Sequence, residues 1–365
     1  MLWIWELKNW PNLEYDHAEV LIHEKEFYTN AGIISGLLNH LEKQNIILTN
    51  LAILTQEAIA TSSIEGEFLD AASVQSSIKK HLGLMADKIK IPTNAAAIAE
   101  MMTDIYLNFN TPLQHQTFYN WHTMLMNGRR EIETIGAYRT HDDAMQIVSN
   151  NLTSPTVYFE APPSKCVYKE MQQLIKWINE NFNKISIIAL ASIAHLHFEI
   201  IHPFEDGNGR IGRALIEKII SKKLQMPALL SIAKIIEQNK KEYYENLKAS
   251  NHSLNINRWI QFFTKIILQA QRYTIDIINF TITKKKFFEK YNSKINNRQQ
   301  KVLLRIFNEG IEGFKGGLSA ANYKSIAITS AATTTRDLQE LLILEAINKT
   351  GVLKSTRYHL NLQNL

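Results

Sequence analysis

The stretch ISIIALASIAHLHFEIIHPFEDGNGRIGR, Ile185 to Arg213, decides how this chain is read. Its opening part, Ile185 to Ile201, is too long for a typical strand, and apolar residues recur at helical spacing through Ile188, Ala191, Leu196 and Ile200. His202-Pro203 interrupts that helix, because proline cannot continue the hydrogen-bond ladder. The six letters GNGRIG, Gly207 to Gly212, satisfy a dinucleotide-binding fingerprint. That fingerprint requires a preceding strand and an acidic residue roughly 20 positions later, so the Rossmann reading fails and helix, loop, helix remains.

The loop holds the equipment for phosphate-ester chemistry. Gly207, Asn208 and Gly209 can turn backbone N–H groups toward an anion, and a helix starting there adds partial positive charge at the same spot. Arg210 and Arg213 are three apart and project from one helix face, where they can bracket a polyphosphate. His202, fixed by Pro203 and by a buried Phe204, can accept a proton near neutral pH. Asp206 offers hard oxygen to Mg2+, which binds through one or two carboxylates plus substrate phosphates. A transition-metal site built from His195, His197, Glu199, His202 and Asp206 is disfavoured. His195 and His197 point to different sides of a helix and no H-E-x-x-H spacing occurs, so both are expected to be interior histidines supporting the loop.

At HPFEDGNGRIGR the chain resembles the Fic (Fic/DOC) family, whose core signature reads H-P-F-x-[DE]-G-N-G-R-x-x-R and whose members transfer AMP from ATP to hydroxyl side chains of proteins. The resemblance implies that His202 is the general base and Asp206 the Mg2+ ligand. It makes Gly207, Asn208 and Gly209 the phosphate cradle, clamped by Arg210 and Arg213. The opening WIWELKNWPNLEYD looks like the N-terminal domain preceding the core in a bacterial branch of that family, although its tryptophans Trp3, Trp5 and Trp10 are most economically read as packing.

Other segments fit around that core. AMQIVSNN (Ala144 to Asn151) and TVYFEAPP (Thr156 to Pro163) are short β-prone runs separated by Leu152, Thr153, Ser154 and Pro155, and they predict a hairpin. It follows GAYR, Gly136 to Arg139, as the flap does in Fic proteins, where its edge pairs with an extended target segment. Ile147 and Val148 of this flap join the nucleotide-site set by resemblance. In KKEYYENLKASN, Lys240 to Asn251, a tyrosine pair and a following asparagine have the family's spacing for an adenine and ribose pocket, which implies Tyr243, Tyr244 and Asn251. TSSIEG, Thr61 to Gly66, matches the family's inhibitory motif [ST]-x-x-x-E-[GN]. The implied role of Glu65 is to pair with Arg213, which would otherwise hold the γ-phosphate of ATP.

Composition bounds the rest. The chain has 365 residues, 45% of them hydrophobic, and no apolar run approaches the roughly 20 residues that span a bilayer. The start, MLWIWELKNW, lacks a basic region followed by a hydrophobic block, and Cys166 is the only cysteine, which favours a cytoplasmic setting. Charge is uneven. From Thr281 to Leu365 there are 14 Lys and Arg against 6 Asp and Glu, a net of +8, while the remainder has 26 against 29, or −3. The tail reads as a basic link at KKKFFEK (Lys284 to Lys290), three short helices and a hairpin turning near Lys349, Thr350 and Gly351. That resembles a winged helix-turn-helix with SAATTTRDLQEL (Ser330 to Leu341) as recognition helix, able to bind DNA or protein.

The expected molecule is mainly α, a Fic-type helical core with a β-hairpin flap and a C-terminal winged helix. Its expected domains are 1–93, helical with the inhibitory helix, 94–280, catalytic, and 281–365, winged. Its expected activity is protein adenylyl transfer from MgATP, self-inhibited by Glu65, to a Ser, Thr or Tyr hydroxyl of a protein docked on the flap. No membrane partner is expected, and a homodimer is allowed. The alternatives are a nucleotide-sensing DNA-binding regulator, or a Fic enzyme that uses another donor nucleotide or removes AMP.

Overall fold

The computed structural model describes residues 2–86, 89–148, 157–314 and 316–363. Helices dominate. In chain order they are α1 (His17–Asn39), α2 (Lys43–Ile64), α3 (Ala71–His81), α4 (Thr93–Leu107) and α5 (His115–Leu125), then the strands β1 (Gln146–Val148) and β2 (Val157–Glu160). There follow α6 (Ser164–Asn181), α7 (Ile187–Ile201), α8 (Asn208–Leu224), α9 (Ile232–Gln238), α10 (Lys240–Ser250) and α11 (Asn257–Tyr291). The chain ends with α12 (Asn297–Phe307), α13 (Ala320–Ala327), α14 (Ala331–Ile343), β3 (Ile347–Thr350) and β4 (Arg357–Leu360). None of the described helices is long and apolar enough to cross a membrane.

Two compact units emerge, Met1–Gly36 with Asn50–Thr274, and Leu37–Thr49 with Ile275–Leu365. In the first unit α7 is the centre. Every residue from Ile187 to Ile201 except Glu199 is buried, because the helix is apolar on all faces and α6 and α8 pack against it. The loop after it is set by backbone chemistry. His202 closes α7 in the left-handed region (φ 48, ψ 61), its N–H donating to Phe198 O at 3.0 Å. Asn208 then accepts from Phe204 N (2.9 Å) and donates to Phe204 O (2.8 Å), which pins the loop to the start of α8.

The expected hairpin is present, with Gln146 paired to Glu160 and Ile147 to Phe159 in an antiparallel register. Its expected turn, Leu152 to Pro155 with the flanking positions 149–151 and 156, lies outside the described residues. The N-terminal tryptophans do pack, as expected. Trp3 lies edge-on to Phe159, Trp5 Nε1 donates to Glu160 O (2.7 Å), and Trp10 lies edge-on to His197 while donating to Glu170 (2.9 Å).

In the second unit the three short helices and the hairpin appear where the pattern put them, with Thr350 opposite Arg357 and Ile347 opposite Leu360. Asp337 on α14 is buried and accepts from Arg298 Nε (2.9 Å), Tyr323 OH (3.1 Å) and Asn296 Nδ2 (3.3 Å), so one carboxylate ties the three helices together. One expectation fails: KKKFFEK is no link, since α11 runs unbroken to Tyr291. The reason is burial. Phe287 and Tyr291, four apart on one helix face, insert into the second unit's core and keep this lysine-rich stretch helical.

Candidate active site

The site is assembled at the end of α7, the start of α8 and the end of α2. Burial pushes the His202 imidazole down to about 4, so the ring is neutral at pH 7. Its Nδ1 lies 3.4 Å from Glu199 O, a contact that favours a proton on Nδ1 and leaves Nε2 to accept one. Beneath it sits Arg139, which the sequence offered only as part of the GAYR landmark. This buried guanidinium donates to His202 O (2.8 Å), Ser164 Oγ (2.9 Å), Pro162 O (2.5 Å) and Ile201 O (3.3 Å), while the Arg139 backbone N–H donates to Pro203 O (2.9 Å). Histidine loop and hairpin exit are therefore fastened to one side chain.

Carboxylates from the end of α2 reach both motif arginines. Glu65 Oε1 accepts from Arg213 Nη2 at 2.6 Å, and Thr61 holds the same guanidinium through Oγ1 (2.7 Å, from Nε) and its carbonyl (3.0 Å). Burial works against charge on Arg213, yet Glu65 foremost, together with Tyr243 and Glu199, outweighs it and raises the pKa above the usual arginine value. Glu65 also lies directly over the first turn of α8. A Cβ placed on Gly209 would stand 2.4 Å from Glu65 Oε1 and 3.1 Å from Arg213 Nη1, so only glycine leaves room for an anion here.

The other motif arginine, Arg210, has its own partner. Glu67 Oε2 accepts from Arg210 Nη1 at 2.9 Å, its Oε1 contacts Arg129 Nη2, and Asp206 Oδ2 lies 3.2 Å from Arg210 Nη2 and 3.9 Å from Arg129 Nη1. The turn between Glu65 and Glu67 explains why both face the arginines. Gly66 adopts φ +84, its N–H donates to Ser63 O (3.0 Å), and Glu67 N–H donates to Ser62 O (2.9 Å), the bond pair of a Schellman helix end.

The remaining expected site residues divide. Tyr244 is 44% exposed beside this cluster, and burial followed by the Glu65 charge pushes its hydroxyl up to about 12. Tyr243 is instead buried behind α7, with its hydroxyl 2.9 Å from His195 Nε2. Asn251 donates to Tyr158 O of the hairpin (3.0 Å) and accepts from Ile4 N (2.7 Å). Ile147 and Val148 are exposed on β1. His195 and His197 are interior, as expected, and burial drives both down to about 3. Glu199 lies 3.9 Å from His195 Nδ1 and faces Gly212 of α8, pushed up to about 8 by burial. Among the described residues, no group of three or more His, Cys, Asp or Glu side chains could hold a metal.

Residues 112–220 match the description Fic/DOC family, and residues 3–84 match a domain of unknown function, DUF4172. The chain contains a Fic/DOC family domain. Among curated proteins it is similar to a probable protein adenylyltransferase of Aquifex aeolicus, 39% identical over 62 residues, which are 17% of this chain and 19% of that protein. It is also similar to protein adenylyltransferases of Caenorhabditis elegans (33% over 86 residues; 23% and 16%) and Drosophila mojavensis (30% over 108 residues; 29% and 20%). The matched stretch thus spans at most a fifth of these relatives. The fold is similar to that of a Fic family protein from Desulfovibrio desulfuricans G20 (TM-score 0.54, 20% identity, 93% of this chain and 95% of that one). A Fic domain containing signaling protein from Bacteroides thetaiotaomicron gives a TM-score of 0.52 at 17% identity, covering 70% of this chain and 97% of that one.

Proposed function

We propose that this protein transfers AMP from ATP to a Ser, Thr or Tyr hydroxyl of a target protein, and that Glu65 restrains it. The observation carrying this reading is the Glu65 carboxylate resting over Gly209 against Arg213: the start of α8 is an anion site, and the chain's own carboxylate stands in it. The groups fit a nucleotide triphosphate. Gly207, Asn208 and Gly209 face the α- and β-phosphates, Arg210 and Arg213 clamp the polyphosphate, and Tyr244 with Asn251 borders the base and ribose. Tyr243 supports that pocket from behind. Ile147 and Val148 lie on the flap whose edge receives the target segment.

His202 removes the target hydroxyl's proton as that oxygen bonds to the α-phosphorus. The bond from the α-phosphorus to the bridging oxygen breaks, and pyrophosphate leaves with its electron pair. Asp206, the loop's partly exposed carboxylate, would hold Mg2+ together with phosphate oxygens. The ion would neutralise charge on the phosphates. With Glu65 withdrawn, the space that Gly209 leaves favours a nucleotide oriented with its β-phosphate in the cradle, hence AMP donation over other donors or AMP removal. Residues 1–93 supply the restraint, 94–280 the chemistry, and 281–365 a winged helix that docks DNA, a protein or a second copy.

ATP labelled at the α- or γ-phosphate tests the reaction. The proposal requires α-label to travel covalently with protein and γ-label to leave. If neither label attaches and the protein instead binds nucleotide and DNA together, the basic second unit makes it a nucleotide-sensing regulator.

A further inference from the structure

Glu67 does at Arg210 what Glu65 does at Arg213, and no motif in the chain announced it. Its two oxygens go to different arginines on different segments, Oε2 to Arg210 on α8 and Oε1 to Arg129 beyond α5. Two guanidiniums bridged by two oxygens of one carboxylate is the arrangement that binds two oxygens of a phosphate. The Glu67 side chain is 23% exposed and Arg129 25%, so the site opens to solvent on one side, whereas Arg210 is 3% exposed. Arg210 Nε is moreover buried without a hydrogen-bond partner among the described residues, leaving donor capacity at this place unused.

We propose that Arg129 and Arg210 form a second anion subsite, which takes the pyrophosphate end of the nucleotide and which Glu67 fills in the restrained protein. One helix end then carries two latches. The left-handed Gly66 sets Glu65 and Glu67 on either side of a single turn, so movement of that turn withdraws both carboxylates from both arginines together. Arg129 is a phosphate-binding residue in this scheme, and Glu67 an internal competitor. The identity of the donor rests on the adenylyl-transfer reading, but the anion subsite does not.

The test measures binding of inorganic pyrophosphate by calorimetry to the full chain. Glu67→Gln should tighten binding about tenfold, equivalent to about 1.4 kcal/mol, and Glu67→Asp, too short to bridge both arginines, should give a smaller gain. Adding Arg129→Met to Glu67→Gln should erase the gain. Glu131→Gln, which removes a charge 3.5 Å from Arg129 outside the bridge, should leave affinity within about twofold of the parent. The inference is overturned if Glu67→Gln binds pyrophosphate like the parent, if the gain survives Arg129→Met, or if Glu131→Gln matches it. Pyrophosphate binding needs no group transfer, so failure of the adenylyl-transfer reading would appear separately, as absent protein label with the affinity pattern intact.

Discussion

Glu65→Gly isolates the restraint. The substitution removes the 2.6 Å bond from Arg213 but leaves that guanidinium held by Thr61 Oγ1 at 2.7 Å and Thr61 O at 3.0 Å, so the arginine stays where a phosphate can use it. A hydrogen bond between charged partners contributes about 1.5 to 3 kcal/mol. Glu65 is 30% exposed, which places the value toward the lower end through solvent screening. If nucleotide and carboxylate compete for Arg213, the barrier falls by about 1.5 to 2 kcal/mol, and labelling should rise roughly 10- to 30-fold. The assay is automodification by α-labelled ATP at saturating Mg2+, with folding checked by circular dichroism. Arg213→Ala placed on Glu65→Gly should abolish the gain, since freeing a group helps only while the group exists. Labelling of folded Glu65→Gly no faster than the parent would refute the competition argument.

Three further outcomes follow from the site. His202→Ala should eliminate transfer while nucleotide affinity, measured by calorimetry, stays near the parent's, because the ring's proposed role is on the target hydroxyl; retained labelling removes it from the mechanism. Asp206→Ala should lose most activity together with its Mg2+ dependence, and a folded variant still fully metal-dependent would place the ion elsewhere. Ring NMR of His202 should show a neutral imidazole from high pH down past 6.5, with protonation only near 4. The folded pKa lies below the unfolded one, so this group's contribution to stability is present above pH 6.5 and is lost as pH falls toward 4; a ring that titrates near 6.5 contradicts the burial argument.

What the sequence disclosed was what lies close together along it. The helix, loop and helix from Ile187 to Leu224 were legible because apolar period, His-Pro and the glycines stand in one stretch. The hairpin and the three tail helices were legible for the same reason. Glu65 could be linked to Arg213 only through a family motif, since the partners stand 148 positions apart. Glu67 with Arg210, 143 positions apart, had no motif to join them, and Arg129 looked like any loop arginine. Arg139 stood in a noted landmark, but four long-range acceptors leave no local pattern. Periodicity could not tell which tyrosine of Tyr243-Tyr244 faces inward, because adjacent helix positions differ by about 100° and packing against α7 makes the choice. KKKFFEK was misread as a link because its lysines outnumber the two aromatic residues that, with Tyr291, bind it into a core.

The most direct test of the central claim is intact mass spectrometry of the Glu65→Gly protein and of a cell extract after their incubation with MgATP. The account predicts protein species heavier by one AMP group, absent when His202→Ala is added. Unchanged masses with folded, nucleotide-binding Glu65→Gly, or AMP addition that persists without His202, would contradict it.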